Sequence, residues 1–341
     1  MKQPRDKVCV IITGGTVLET EGQVLGVKQE SDISAWLAAM PEITLIAADL
    51  TVKLFHGGSA AEVRPGLWLQ IARFIFAERN NFRGFVILGS IDNLPYFYYA
   101  LNLMLENTHQ PVVLTGSQLP DYLLFDSTGL SEILAISLDA GIRANLINSL
   151  QVVAGQINGV YLMFGDKLIG GRGIHLKQPL LAMPYAHQPN QVLGKVEFNI
   201  KMVIGEEEAM AKRAESEMRL RDSLETRVKF FNLGPFYGDL DLATELANAR
   251  GAIFSLPPGV DYPAELIKHL RARSPRLPVI FTGSALILPL AGNQKLKTEL
   301  EQDWILLQPA GSTEELAVKF MWVLGQTQDF GEIKKMLGET L

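Results

Sequence analysis

The hydrophobic positions of the chain form short, nearly continuous runs separated by amphipathic stretches. In the first half these runs have strand length: VCVIIT (8–13), ITLIAA (43–48), FVILG (85–89), PVVLTG (111–116) and VYLMF (160–164). Runs that are apolar on both faces are typical of parallel strands covered by helices. The segments 65–80 and 95–107 each begin near a proline and predict helices between the strands. The first half therefore predicts an open α/β domain with a parallel sheet.

A highly charged segment, residues 205–227, separates this pattern from a second alternation. It contains few large apolar residues and predicts a solvated helix or a mobile linker. Strand-like runs then return at 228–233, 251–256, 277–283 and 304–308, with a helical pattern at 262–273 and two more helices from about Ser312. We predict a larger N-terminal α/β domain over residues 1–200, a charged linker or helix over 201–228, and a smaller C-terminal α/β domain over 229–341.

Composition and charge narrow the possible partners. The chain has 341 residues, 48% of them hydrophobic, which is enough for two domain cores. Its formal net charge of -6 argues against nucleic acid and anionic membranes as partners. No signal peptide or membrane span is predicted, because only five apolar residues follow the charged N-terminus. Cys9 is the only cysteine, which excludes an intrachain disulfide and favours a cytoplasmic location. The five histidines lack the spacing of a zinc site, so no metal is expected.

Small polar residues follow the predicted strands at 13–16, 89–93 and 115–118. In an open parallel sheet, ligands bind beyond the carboxyl ends of the strands, so these residues predict a pocket floor. The paired glycines before Thr16 free the backbone to turn and to bind a carboxylate or an oxyanion, and Thr16 would then be a nucleophile. The same residues also fit structural roles: the glycines as a turn, Asp92 as a helix cap, and Thr115 and Ser117 as turn formers.

Several enzyme classes are disfavoured by the motifs. TGGT matches neither the G-x-G-x-x-G fingerprint of dinucleotide-binding proteins nor the G-K-[ST] ending of a P-loop. The chain also lacks the G-x-S-x-G turn of α/β-hydrolases. A nucleotide cofactor is therefore not expected.

Three longer blocks resemble the bacterial-type L-asparaginases, specifically their cytoplasmic type I branch. They are IITGGTV (11–17), GFVILGSIDNLPYFYYALNLMLENTHQPVVLTGSQLP (84–120) and GVYLMFGDKLIGGRGIHLK (159–177). The segments 256–270 and 309–337 resemble the second domain and tail of that family. The resemblance implies a large and a small α/β domain, with sites at the subunit boundary of a homodimer or homotetramer. It also implies cofactor-free hydrolysis of L-asparagine, in which a threonine hydroxyl attacks the side-chain amide and water then releases aspartate.

By position, the resemblance assigns the family's nucleophile to Thr16 and its catalytic aspartate to Asp92. The second catalytic threonine falls on Ile91 and the catalytic lysine on Leu176, with Lys177 one place later. The activating tyrosine has no counterpart in residues 18–27. The predicted substrate-binding residues are Gly15, Ser59, Ser90, Ile91 and Thr115.

These departures leave two functional hypotheses. Ile91 cannot transfer a proton, and removing one member of a cooperating triad costs several orders of magnitude in rate. Lys177 would replace the lysine if a one-residue bulge turned it inward, and His175 is an alternative base, so the predicted catalytic set is Thr16, Asp92 and Lys177. The chain is then either an amidohydrolase of weak or altered activity, or a non-catalytic relative that binds a small amino acid such as asparagine or aspartate, or a partner protein. Ile91 and Leu176 favour the second hypothesis, whereas the retention of Thr16 and Asp92 favours the first.

Overall fold

The computed structural model describes residues 7–20, 23–46, 49–119, 141–155, 157–179, 181–197, 200–233, 241–256, 264–272, 275–283, 293–308 and 312–339. The chain divides into two compact units between Asp222 and Ser223. The division lies within the charged segment 201–228.

The larger unit contains an eight-stranded mixed sheet, two-stranded ribbons and flanking helices. Its described strands are β1 (Lys7–Ile12), β2 (Val17–Thr20), β3 (Gln23–Gly26), β4 (Asp49–Leu54), β5 (Gly84–Leu88), β6 (Leu105–Glu106), β7 (Pro111–Thr115), β8 (Gly159–Phe164), β9 (Lys167–Ile169), β10 (His175–Leu176), β11 (Tyr185–Ala186), β12 (Val192–Val196), β13 (Ile200–Met202) and β14 (Arg219–Leu220). Its described α-helices are α1 (Glu30–Ala38), α2 (Pro41–Ile46), α3 (Pro65–Glu78), α4 (Leu94–Met104), α5 (Ile142–Ala154) and α6 (Ile204–Glu215).

The order of the large sheet is β13-β12-β9-β8-β7-β5-β1-β4. Strands β4, β1, β5, β7 and β8 pair in parallel, and every residue of β5, β7 and β8 is buried. This part confirms the predicted open parallel sheet, because helices cover the apolar strands on both faces. Beyond β8 the pairing is antiparallel through β9, β12 and β13. The sequence analysis did not predict this antiparallel edge, whose strands are short and only partly apolar.

One predicted strand is wrong. Residues 43–46 of the expected strand at 43–48 belong to helix α2, and residues 47 and 48 lie outside the described part of the chain. Pro41 at the helix start and the buried Ile43 explain the helix. The actual strand, β4, lies at the sheet edge, and only its alternate residues Leu50, Val52 and Leu54 pack against the core. It therefore lacks the continuous apolar run that marks a central strand.

The charged segment contains a helix, one of the two predicted alternatives. Its helix α6 carries Glu206 and Arg213, and both side chains bond to Tyr161 on β8. The pKa of the Tyr161 hydroxyl is raised well above its ordinary value, first by burial and then by the charge of Glu206. Further along, β14 pairs with β6, which begins where helix α4 ends at Met104. The segment up to Asp222 is therefore part of the larger unit.

The smaller unit contains a four-stranded sheet in which all the strands are parallel. The strands are β15 (Val228–Asn232), β16 (Gly251–Ser255), β17 (Val279–Thr282) and β18 (Ile305–Gln308), in that spatial order. The described helices are α7 (Leu242–Leu246), α8 (Ala264–Ala272), α9 (Gln294–Gln302), α10 (Thr313–Gln326) and α11 (Phe330–Gly338). Its core includes a row of aromatic rings, with Phe254 stacked on Phe231 and on Phe281. The prediction of a smaller α/β unit is confirmed.

Candidate functional site at the ends of the parallel strands

The loops that follow β1, β4 and β5 meet at Gly15. The Gly15 amide donates to the Gly58 carbonyl at 2.6 Å, and the Gly15 backbone is left-handed, with φ of 75°. A Cβ at this position would lie 2.7 Å from the Cβ atoms of both Ala60 and Ser90. Only glycine fits a backbone that is both left-handed and this closely surrounded. The structure therefore brings Gly15, Ser90 and the loop of Ser59 together, at the sheet edge predicted for ligand binding.

The Thr16 hydroxyl faces backbone carbonyl groups. Thr16 is 3% exposed, and its Oγ1 lies 2.7 Å from the Thr13 carbonyl oxygen and 2.9 Å from the Leu88 carbonyl oxygen. A hydroxyl has one proton to donate, and a carbonyl oxygen cannot accept that proton covalently as a base would. In this geometry Thr16 is held by the ends of β1 and β5, and attack on a substrate requires rotation of its hydroxyl.

The turn after β5 carries Ser90, Ile91 and Asp92. Ile91 is fully buried, whereas Asp92 is exposed. The Ser90 hydroxyl lies 3.3 Å from Asp92 Oδ2, so it donates to that carboxylate. Helix α4 begins at Leu94 with Asn93 in the N-cap position, which excludes Asp92 as the N-cap residue. The Asn93 amide donates instead to the Ala60 carbonyl at 2.9 Å and ties this turn to the loop after β4.

Two predicted binding residues have structural hydrogen bonds. The Thr115 hydroxyl is fully buried and donates to the Met163 carbonyl of the adjacent strand at 2.6 Å. The Ser59 hydroxyl accepts from the Ala61 amide at 3.3 Å and caps a short 3-10 helix. Thr115 therefore stabilises the sheet, while Ser59 remains at the edge of the site.

A ribbon formed by β10 and β11 lies against the Ile91 turn. Leu176 is directly opposite Tyr185, whose hydroxyl donates to the Ile91 carbonyl at 3.0 Å. Opposite residues of an antiparallel pair share a face, so Leu176 projects from the face that contacts the turn. Leu176 therefore lies on the same face of the ribbon as Tyr185.

His175 and Lys177 flank Leu176 and are exposed, because successive residues of a strand point to opposite faces. The Pro184 carbonyl accepts from the amides of both Lys177 and Gln178, as in a β-bulge. This irregularity begins after the Leu176–Tyr185 pair and leaves Lys177 exposed. Within the described ranges, no hydrogen bond joins Lys177 or His175 to Thr16.

Two further residues at the site were not among the predicted catalytic or binding residues, although Gln118 belongs to the pocket floor predicted at 115–118. Gln118 follows β7 and is 1% exposed, and among the described residues neither its amide nitrogen nor its amide oxygen has a hydrogen-bond partner. His56 follows β4, and its Cδ2 lies 2.6 Å from the position that a Cβ on Gly14 would occupy. Its Nε2 is 3.5 Å from Glu62 Oε2, which is too long for a well-formed hydrogen bond. The incorrect strand at 43–48 concealed His56, because it hid the strand end that His56 follows.

A cavity of about 580 Å³ lies elsewhere in the same unit. It is lined by residues at the amino end of β8, including Gly159, and by Tyr98, Arg172, Glu206 and Arg213. None of the predicted site residues lines it. Among the described residues, no three histidine, cysteine, aspartate or glutamate side chains are grouped as metal ligands. The described part of the chain also has no helix that is both long and apolar enough to cross a membrane.

The fold and the strand-end loops define an α/β protein whose candidate site lies at the carboxyl ends of parallel strands. The family described as "Asparaginase, N-terminal" matches residues 7–202, more than half of the chain. The chain belongs to the asparaginase family, which confirms the resemblance.

Individual relatives agree with this assignment. L-asparaginase 1 of Escherichia coli K12 is 32% identical over 170 residues, which are 49% of this chain and 46% of that protein, so the match spans about half of each. L-asparaginase of Thermococcus kodakarensis is 26% identical over 339 residues, covering 94% of this chain and 95% of the relative. A glutamyl-tRNA(Gln) amidotransferase component from Methanobrevibacter smithii is 24% identical over 99% of this chain and 76% of its own length.

Solved structures share the fold. L-asparaginase I from Vibrio cholerae has a TM-score of 0.72 and 22% identity, covering 99% of this chain and 98% of the other. The thermostable L-asparaginase from Thermococcus kodakarensis has a TM-score of 0.71, also at 22% identity, with 98% and 97% covered. At this identity the likeness establishes a common architecture.

Proposed function

We propose that this chain uses an asparaginase-type pocket to bind a small amino acid with a side-chain carboxylate or carboxamide, L-aspartate or L-asparagine. We propose further that it hydrolyses the amide far more slowly than a complete asparaginase site. The family and the names of its relatives support the class of ligand. The observation that carries the proposed loss of activity is the full burial of the aliphatic Ile91, which the resemblance aligns with a catalytic threonine.

The loss follows from the proton transfers that the reaction needs. Thr16 must lose a proton to attack and the departing ammonia must gain one, and each step served by a positioned acid or base contributes about 10²–10⁴-fold. The Thr16 hydroxyl is bonded to carbonyl oxygens, and the positions that the resemblance assigns to the second threonine and the lysine hold the aliphatic Ile91 and Leu176. None of these groups accepts a proton. Acylation is therefore expected to lose several orders of magnitude.

Features that suit ligand binding are retained. The left-handed turn at Gly15, whose own amide is bonded to the Gly58 carbonyl, holds the loops of Ser59 and Ser90 close together at the pocket. The exposed carboxylate of Asp92 supplies the negative charge that an α-ammonium group requires. Gln118 offers an unpaired amide, which pairs with either a carboxylate or a carboxamide. Together these groups match both ends of an amino acid.

One observation favours a second candidate, an amidohydrolase with a modified mechanism. His56 contacts the glycine turn before Thr16, and an imidazole is able to act as a base near neutral pH. If His56 activates Thr16, wild type releases ammonia from L-asparagine and His56→Gln abolishes that activity. His175→Gln is the matched control, because His175 is exposed on the outer face of its ribbon.

The proposal is tested by measuring binding and turnover separately. We expect isothermal calorimetry to detect L-aspartate binding, and a coupled assay to detect no ammonia from L-asparagine above background. Ile91→Thr combined with Leu176→Lys should produce measurable ammonia release. The control, Ile91→Val with Leu176→Met, alters the same positions without adding a proton-transferring group. Absence of aspartate binding would refute the ligand, and no gain in the first double variant would refute the alignment of the site.

We also propose a homodimer or homotetramer in the cytoplasm. The family resemblance supports the assembly, and the buried free thiol of Cys9 fits a reducing compartment. Light scattering coupled to size exclusion tests the assembly, since a monomeric mass at micromolar concentration would contradict it.

A further inference from the structure

Three lysines stand in register across the antiparallel edge of the large sheet. Lys195 on β12 is directly opposite Lys167 on β9 and directly opposite Lys201 on β13. Directly opposite residues project from the same face, and neighbouring strands lie about 4.8 Å apart. We refer to Lys167, Lys195 and Lys201 as the lysine ladder.

The ladder is electrostatically unfavourable without a counter-charge. Like charges directly opposite each other destabilise a strand pair, and here the repulsion acts twice, on both sides of Lys195. Among the described residues, the carboxylate that contacts the ladder is Glu197, whose Oε2 lies 2.7 Å from Lys201 Nζ. Asp166 precedes Lys167 in the turn before β9. Even with both acids included, three ammonium groups leave this face with net positive charge.

The ladder lines a groove that is large enough for a small molecule. The groove has a volume of about 640 Å³, and its other residues include His187, Pro189, Val192 and Met202. Ligand sites commonly measure about 300–1,000 Å³. The groove is separate from the Thr16 site, because its strands are β9, β12 and β13 and the Thr16 site lies at the ends of β1, β4, β5 and β7.

We propose that the lysine ladder binds a small molecule that carries two or more phosphate groups. A linear row of ammonium groups requires several anionic centres to neutralise it, which a single carboxylate does not supply. Lysine binds phosphate as a point charge on a flexible stem and needs no planar, bidentate geometry. The bound anion would remove the repulsion on both sides of Lys195. The net charge of -6 for the whole chain makes an extended nucleic acid the less favoured occupant.

Tripolyphosphate is the probe, and thermal unfolding of the full chain is the measurement. At equal ionic strength set with NaCl, we expect tripolyphosphate to raise the midpoint of unfolding more than orthophosphate does. Lys195→Gln should weaken tripolyphosphate binding at least tenfold in calorimetry. It should also raise the midpoint of the ligand-free protein by about 1–3 °C at low salt, because it removes both repulsive pairs. If Lys195 instead stabilised the fold, Lys195→Gln would lower the unfolding midpoint of the ligand-free protein.

Lys268→Gln is the matched control, because Lys268 is an exposed lysine in the smaller unit that is already paired with Glu265. It should change neither the binding nor the ligand-free midpoint. The proposal is overturned if tripolyphosphate gives no shift beyond that of NaCl, or if Lys195→Gln leaves binding intact. It is also overturned if a short DNA duplex binds more tightly than tripolyphosphate and loses its affinity in Lys195→Gln.

Discussion

Replacing Gln118 with methionine should stabilise the ligand-free protein and abolish its response to L-aspartate. The Gln118 side chain is 1% exposed, and both polar atoms of its amide lack a hydrogen-bond partner in the part of the chain that the structure describes. Leaving a buried polar group unpaired costs about 1–3 kcal/mol. Methionine has a similar length and removes both unpaired groups. A gain of about 2 kcal/mol is expected, which corresponds to about 4–8 °C in the midpoint of a unit of this size.

Bound L-aspartate is expected to stabilise the wild type by more than Gln118→Met gains without ligand. An L-aspartate concentration 100 times Kd stabilises a protein by about 2.7 kcal/mol through mass action. If the Gln118 amide pairs with the ligand, the wild type shows that shift in urea unfolding and Gln118→Met shows little of it.

Gln191→Met is the matched control. Gln191 is also buried, at 8% exposure, but its amide donates to the Arg172 carbonyl and accepts from the Gln188 amide. Its replacement should therefore destabilise the protein and leave the aspartate response unchanged. The reasoning is refuted if Gln118→Met lowers the stability, or if it retains the full aspartate shift.

Three further substitutions test the geometry. Gly15→Ala should cost about 2–4 kcal/mol in urea unfolding and eliminate aspartate binding, because of the left-handed backbone and the 2.7 Å contacts. The control Gly66→Ala, in an open helical position, should be neutral or stabilise the protein slightly. Equal effects of the two substitutions would contradict the account. Burial raises the pKa of the Cys9 thiol from 9.0 to about 12, opposed in part by the charge of Lys53, so stability present below pH 9 is lost as the pH rises towards 12. Wild type should therefore lose about 1.4 kcal/mol of unfolding free energy between pH 8 and 10 that Cys9→Ala does not lose. Parallel pH profiles of the two proteins would contradict this role of Cys9. Tyr185→Phe should cost about 1–3 kcal/mol by leaving the buried Ile91 carbonyl unpaired, whereas unchanged thermal unfolding would show that the ribbon is not held by this bond.

The central parallel strands were predictable because the apolar pattern that marks them lies within each strand. Strands such as β5 and β7 are apolar on both faces, which is recognisable without any knowledge of their neighbours. Edge elements were not predictable in this way. The half-buried β4 was missed in favour of the more apolar residues 43–46, and the charged helix α6 was interpreted as solvated although it packs on Tyr161.

The candidate site was likewise predictable only in part. The strand-end positions of Thr16 and Asp92 followed from the order of runs and turns, and the family resemblance assigned their roles. The environments of single side chains could not be predicted from the sequence. That the Gln118 amide is unpaired and that Lys177 lies on the outer face of its ribbon depend on tertiary packing. The lysine ladder likewise depends on strand register, which adjacent positions in the sequence do not reveal.

Steady-state ammonia release from L-asparagine at millimolar concentration tests the central claim most directly. With wild-type protein verified as folded by its response to L-aspartate, we predict a rate indistinguishable from a no-enzyme control. The Ile91→Thr and Leu176→Lys double variant should exceed that rate in the same assay. A wild-type turnover of about 1 s⁻¹ or more, the range of ordinary enzymes, would contradict the proposal that Ile91 has disabled the site.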